Sequence, residues 1–169
     1  MSDDSRAPLR VGLGTDAHRF EPSRPLILGG VRVRETDGLA GHSDADVVAH
    51  ALMDALLGAA GLEDIGHYFP DTDPAYAGAD SLMLLTRVGE LLAASGWRVV
   101  NVDIVVVCEQ PRIAPHRAAM RAKLAAALSV DPQEIGLRGT TTEGMGFAGR
   151  GEGILAQAVA LLEKSAVLP

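Results

Sequence analysis

Apolar and polar positions alternate over residues 9–19, LRVGLGTDAHR, which is the period of a half-buried strand. Residues 25–35, PLILGGVRVRE, hold two short apolar runs on either side of Gly29-Gly30. That pattern predicts two strands joined by a tight turn, with a single bulged strand as the other reading. ETDGLAGHSDAD is polar and predicts a loop. Ser43 then opens a helix: Ser43-x-x-Asp46 resembles a capping box, and VVAHALMDALLGAAG runs to a stop at Gly61. LEDIGHYFPDTDPAYAGAD is a polar loop of a length that usually serves a function. A helix is predicted over roughly residues 80–95, stopped by Gly96. WRVVNVDIVVVCEQ reads as the longest strand, ended by Pro111. PHRAAMRAKLAAALSV predicts a helix with basic residues on one side, and EIGLRGTTTE a strand that runs into three threonines. GMGFAGRGEG is a Gly-rich loop, and ILAQAVALLEKSA reads as the closing helix.

Strands that alternate with helices predict one α/β layer sandwich, spanning residues 9–169 after a disordered leader at 1–8. On the strand that begins at Trp97, Val100, Val102, Ile104 and Val106 share one face. Val99, Asn101, Asp103, Val105 and Val107 share the other. Both faces are largely apolar, so both should be covered. A small domain covers one face itself, and further subunits could cover the second; a self-contained sheet with helices on both sides is the alternative.

Hydrophobic residues make up 47% of the chain and aromatic ones only 4%, so the core must be built from Val, Leu, Ile and Ala. The net charge of −7 argues against nucleic acid as a partner, because a phosphate backbone needs basic stripes. An anionic ligand would need local attraction from metal ions, helix N-termini or a few arginines. Cys108 is the single cysteine, which excludes an internal disulfide and a cysteine-based zinc knuckle; a small buried apolar role suits it. No apolar run reaches membrane-spanning length, and the polar start MSDDSRAPLR carries no signal segment, so a cytoplasmic location is expected.

Asp16 and His18 lie two apart on a strand and point the same way. Both are metal-ligand types. His50, inside the first helix on one stripe with Asp46 and Asp54, is the candidate third. Three protein ligands with one open position is the pattern of catalytic zinc. By spacing alone, the same residues also suit a solvated edge of the core. His42 and Ser43 sit at the expected helix start, where free N–H groups bind phosphate, although an ordinary cap also accounts for Ser43. Thr140, Thr141, Thr142 and Glu143, followed by glycines and Arg150, could hold phosphates and a hard cation such as Mg²⁺. A Thr-rich strand end before a mobile loop is the plainer reading of that stretch.

Six ordered blocks carry a resemblance over nearly the whole chain: GTDAHRF, GHSDADVVAHALMDALLGAAGLEDIG, FPDTDP, NVDIVVVCEQPRIAPH, TTTEGMGF and GRGEGI. Together they resemble the 2-C-methyl-D-erythritol 2,4-cyclodiphosphate synthase family. Ala45 stands where Gly is common in that family, and Arg112 where Lys is common; Arg and Lys differ at close phosphate contacts.

The resemblance implies a mixed sheet with helices on one face, and a homotrimer whose sheets pack inward with active sites between neighbours. It implies closure of a ring on 4-diphosphocytidyl-2-C-methyl-D-erythritol 2-phosphate, with release of CMP, in the non-mevalonate isoprenoid pathway. Asp16, His18 and His50 would then hold zinc or another divalent transition metal. Glu143 would hold Mg²⁺ or Mn²⁺ together with the substrate diphosphate. His42 and Thr141 would stabilise the transition state, His42 and Ser43 would contact the phosphates, and Asp16, Ala17 and His18 would also bind substrate. Asp64, Ile65 and Gly66 match the stretch that holds the methylerythritol portion, with Phe69, Pro70, Asp71, Thr72 and Asp73 as the adjoining loop. Cys108, Glu109, Gln110, Pro111, Arg112, Ile113 and Ala114 match the cytosine pocket. Thr140, Thr141, Thr142 and Glu143 match the phosphate grip, and Phe147 and Arg150 positions near the substrate loop and the central channel. A zinc-dependent phosphohydrolase using a metal-bound water, or a non-catalytic trimer braced by the same ligands, are the competing functions.

Overall fold

The computed structural model describes residues 8–165. Its strands are β1 (Leu9–Glu21), β2 (Leu26–Leu28), β3 (Val31–Arg34), β4 (Gly38–Leu39), β5 (Trp97–Val107), β6 (Ile135–Thr140) and β7 (Gly153–Lys164). Its helices are α1 (Val47–Ala60), the short α2 (Ile65–Tyr68), α3 (Ser81–Ala94), α4 (Arg117–Leu128) and the short α5 (Gly146–Gly149). Most of the expected leader lies outside the described residues. Its last member, Pro8, is joined to the sheet, because its carbonyl accepts from the Lys164 N–H.

The alternation in β1 sets the packing of the whole molecule. Its even-numbered face turns inward: Gly12 and Gly14 are buried. A Cβ on Gly12 would sit 2.0 Å from the Ala55 carbonyl oxygen, and one on Gly14 2.0 Å from that of Ala51. The backbone of α1 therefore rests directly on β1, running antiparallel to it. Asp16 and His18 continue the same face, and one residue before Ala51 the helix presents His50. The missing side chains of two glycines bring the three polar residues within reach of one another.

A five-stranded sheet has the order β4-β1-β7-β5-β6, with β7 antiparallel to both β1 and β5 and β6 parallel to β5. Only β5–α4–β6 forms a parallel crossover unit, so the sheet is mixed, as the resemblance implied. The segment expected as a closing helix is β7, the central strand. Ala, Leu, Gln, Glu and Lys favour a helix, but the register of two neighbouring strands overrides that preference. Ile154, Ala156, Ala158, Ala160 and Leu162 form its buried face, a period of two whose small members accommodate α1.

Three further expectations are corrected. The helix begins after Asp46, not at Ser43: Asp46 caps α1 by accepting from the Val48 and Ala49 N–H groups. Asp46 is therefore off the His50 stripe. Strand β5, at 11 residues, is shorter than β1 at 13 and β7 at 12. A register shift between Val99 and Asn101 also moves Val99 to the buried side, with Val102, Ile104 and Val106.

The turn at Gly29-Gly30 is a hairpin turn, both residues having positive φ as a type I′ connection requires. The buried Asp46 carboxylate accepts from both glycine N–H groups, at 2.9 and 2.6 Å, and so ties the hairpin to α1. Burial and the nearby Asp44 carboxylate push the Asp46 carboxyl up to about 6, against the pull of these amides. Helices α1, α3 and α4 cover one face of the sheet. On the other face Leu9, Val11 and Leu13 are between 62% and 68% exposed, and Val159 is also exposed. No helix among the described residues is long and apolar enough to cross a membrane.

Candidate metal centre

Strand β1 and helix α1 bring Asp16, His18 and His50 together at one point. Asp16 Oδ2 lies 2.9 Å from His18 Nε2 and 3.1 Å from His50 Nδ1, and the two ring nitrogens are 3.4 Å apart. Three corners of a zinc tetrahedron with ligand bonds of about 2.0–2.1 Å would be separated by about 3.4 Å. The donors therefore fit one small cation with a corner left open. Among the described residues this is the one such cluster of three metal-ligating side chains.

The neighbours of the two imidazoles fix which nitrogen is free. His18 Nδ1 lies 2.6 Å from the Ala40 carbonyl oxygen, which can only accept. Nδ1 must carry a proton, and Nε2 is the nitrogen left to face the site. His50 does the reverse, with Nε2 3.0 Å from Ser81 Oγ and 3.2 Å from Ser43 Oγ and Nδ1 facing Asp16. Desolvation opposes ionisation of Asp16, but hydrogen bonds from His18 and His50 prevail and hold its carboxyl far below the usual range. Burial pulls His18 down, and Asp16 outweighs it and raises the imidazole above its ordinary value.

A cavity of about 440 Å³ opens beside the trio. His18, His42, Ser43, His50, Ile65, Gly66, Phe69 and Asp71 are among its walls, so several of the positions expected near phosphate and sugar meet there. Asp64 caps α2 by accepting from the His67 N–H. His42 Nε2 is 3.4 Å from the Asp73 carbonyl oxygen. Pro70 accepts from the Asp73 N–H across the tip of the loop, and Thr72 is exposed there. One expectation fails: Asp46 already takes the Val48 and Ala49 amides, so the start of α1 does not offer them to a phosphate.

A second cavity, of about 310 Å³, gathers Cys108, Glu109, Pro111, Arg112, Ile113 and Ala114 with Thr140 and Thr141. Burial pushes the Cys108 thiol up to about 11, which makes it a neutral wall. The Glu109 carboxylate accepts from the Thr142 and Gly144 N–H groups and shapes the turn that carries Glu143, whose φ is +53°. Glu143 is exposed and bonded to the Thr141 hydroxyl at 3.3 Å. Gln110 and Arg150 line a third cavity, and Ala17 and Phe147 a fourth beside His18. Within one chain the expected site is thus divided among separate cavities, and Glu143 lies outside the metal-ligand cluster.

A family model described as the YgbB family matches residues 9–163. The chain belongs to this family. It is 62% identical over 159 residues to the 2-C-methyl-D-erythritol 2,4-cyclodiphosphate synthase of Rubrobacter xylanophilus, covering 92% of this chain and 96% of the relative. The synthase of the same name from Symbiobacterium thermophilum is 60% identical, covering 90% and 97%. Among solved structures, the bifunctional IspDF of Campylobacter jejuni superposes with a TM-score of 0.91 at 40% identity. That match covers 94% of this chain and 43% of the bifunctional one. An IspF CDP complex from Plasmodium falciparum gives a TM-score of 0.82 at 29% identity, covering 95% and 99%.

For a member of the YgbB family, the departure at Ala45 has a structural meaning. Its φ is +57°, in the left-handed region that glycine enters freely and alanine does not. The contacts of several other residues around the first two cavities escaped the sequence reading, which placed Asp54 only on the His50 stripe. Arg24 donates to the Gly41 and Ser43 carbonyls and holds the loop before α1. Asp54 accepts from the Ile65 N–H at 3.0 Å and anchors α2. Arg117 and Arg138 line the second cavity. No spacing in the sequence announces these long-range contacts.

Proposed function

We propose that this chain is a cyclodiphosphate synthase: it converts 4-diphosphocytidyl-2-C-methyl-D-erythritol 2-phosphate to 2-C-methyl-D-erythritol 2,4-cyclodiphosphate and releases CMP. The observation that carries this reading is the convergence of Asp16, His18 and His50 on one point at the wall of a cavity, in a YgbB-family chain. The 2-phosphate attacks the β-phosphorus of the same molecule, forming one P–O bond while the bond to CMP breaks. Nucleophile and leaving group are already tethered, so positioning and charge neutralisation do the catalysis. The attacking phosphate is anionic, and a strong general base is not required.

Asp16, His18 and His50 would hold zinc, and Glu143 would hold magnesium. A single exposed carboxylate suits a magnesium ion that takes its other ligands from phosphates and water. Bound there, the two ions would supply positive charge at the phosphorus under attack. His42 and Thr141 bind oxygens that gain charge in the transition state. Ser43 orients a phosphate, and the turn from Asp64 to Gly66 with the Phe69–Asp73 loop holds the sugar. Residues 108–114 read the cytosine edge; the CDP complexes among related structures support a cytidine nucleotide as the ligand. The chain works as a cytoplasmic homotrimer of single domains, 9–169. The uncovered apolar stripe of Leu9, Val11, Leu13 and Val159 supports inward packing of three sheets.

The test is CMP release by purified protein with and without EDTA, with the product identified by phosphorus NMR. Metal-dependent release in step with the cyclic product is expected. A ring-opened diphosphate would replace this reading by a phosphohydrolase, and no release by metal-loaded protein would overturn it.

A further inference from the structure

His50 has an environment that the ligand cluster alone does not explain. The Asp44 carboxylate stands behind it, one residue beyond Ser43, and binds Ser81 twice. Asp44 Oδ1 accepts from the Ser81 hydroxyl at 2.5 Å, and Oδ2 from the Ser81 N–H at 3.0 Å. Ser81 is fully buried and is the first residue of α3, so its side chain has no access to water. A hydroxyl carries one proton, and that proton goes to Asp44. Ser81 Oγ can therefore only accept from His50 Nε2, 3.0 Å away. Nε2 therefore keeps its proton, and Nδ1 is the nitrogen left to face Asp16 and to be given over to a cation. Ser43 imposes no such constraint: its oxygen accepts from the Ala45 N–H, and its proton is not committed to a carboxylate.

We infer that Asp44 and Ser81 are positioning residues for metal binding: a carboxylate–hydroxyl–imidazole chain that fixes His50 in the tautomer and orientation a cation needs. The same chain joins the start of α3 to the segment before α1. Two backbone bonds reinforce that joint, Asp44 N–H to the Ala79 carbonyl and Gly78 N–H to the His42 carbonyl. His18 obtains the same result from a rigid backbone carbonyl. His50 obtains it from two side chains, and is open to mutation through either.

This inference rests on the metal role proposed for the cluster. The experiment measures zinc affinity by competition with a chromophoric chelator, with Co²⁺ absorption as a second readout and melting of the metal-free protein as a third. Wild type, Ser81→Ala, Asp44→Asn and Ser43→Ala are compared. Loss of a partner that orients a metal-bound histidine typically weakens affinity about 10–100-fold, and that loss is expected for Ser81→Ala and Asp44→Asn. The Co²⁺ band of both variants should shift while Ser81→Ala melts close to wild type without metal. Ser43→Ala should weaken zinc by less than about threefold, since it removes no obligatory acceptor. Zinc affinity within about threefold of wild type in both Ser81→Ala and Asp44→Asn would overturn the inference and leave the zinc site standing. Wild-type protein that binds no zinc would overturn both. If Ser81→Ala does not fold, Asp44→Asn decides by the same criterion.

Discussion

The cavity at the metal corner and the cavity at the threonine end are built on opposite plans. The metal corner is assembled from rigid elements: a strand, a helix laid on its glycines, and imidazoles whose far nitrogens are already committed. The threonine end is assembled from a turn after β6, with Glu143 at a positive φ and its side chain in water. The first is complete inside one chain. The second presents a carboxylate and hydroxyls with nothing opposite them. A reaction that needs charge on both sides of one phosphorus cannot run on either alone. The proposed reaction needs the threonine end brought up to a metal corner, and a neighbouring copy is the simplest way to do so, in keeping with the uncovered sheet face.

The largest expected effect breaks the comparison outright. His50→Ala should lose bound zinc and all CMP release. Glu143→Gln should keep zinc and its oligomeric state and lose about 10²–10³-fold in turnover. Mixed as refolded or co-expressed trimers, the two inactive variants should recover roughly a quarter of wild-type activity, because one interface in four then pairs an intact His50 with an intact Glu143. No recovery in verified mixed trimers would show that both cavities serve their own chain.

A backbone change comes next. Gly14→Ala pushes a methyl against the Ala51 carbonyl and should cost about 3 kcal/mol of stability while widening the gap between His50 and Asp16. Chemical denaturation and zinc titration of the folded fraction check the two parts separately.

The pH dependence of the metal corner gives a third test. Asp16, depressed in the folded chain, stabilises above its ordinary 3.8 and loses that contribution as pH falls. His18, raised in the folded chain, stabilises below its ordinary 6.5 and loses that contribution as pH rises through its folded value. In metal-free protein both contributions are therefore in place between pH 3.8 and 6.5. The melting gap between wild type and His18→Gln should be widest in that window and shrink toward alkaline pH. Added zinc should reverse the trend, since a metal competes with the protons on its ligands. A metal-free gap that widens toward alkaline pH would contradict the ion-pair geometry.

The smallest effect concerns Ala45. Ala45→Gly should relieve left-handed strain and leave zinc affinity alone, with a net gain of about 1 kcal/mol or less after the added freedom of the unfolded chain.

Much of the metal corner could be named without coordinates, but the strand period only placed Asp16 and His18 on one face; the resemblance carried by the six ordered blocks chose a metal site over a solvated edge. The Gly29-Gly30 hairpin was legible because few residues tolerate that turn. Strand β7 was not. Alanine at alternate buried positions gives little contrast between faces, and the helix-forming composition spoke louder than the period. The start of α1 was misplaced because Ser43, Asp44 and Asp46 are all plausible caps, and only the hairpin amides select Asp46. Ser81 was invisible, since nothing local distinguishes a serine that opens a helix from one that orients a histidine 31 residues away.

The place of β7 in the sheet has a consequence for how the protein is made. Strands β1 and β5 both pair with it and not with each other. A nascent chain complete as far as Glu152 holds the metal ligands, the hairpin and the three covering helices, and still has no continuous sheet. Two long apolar strands wait on the ribosome for a partner that is synthesised last. For this protein, a translation product cut short before Gly153 lacks the keystone of the fold and becomes a substrate for proteases.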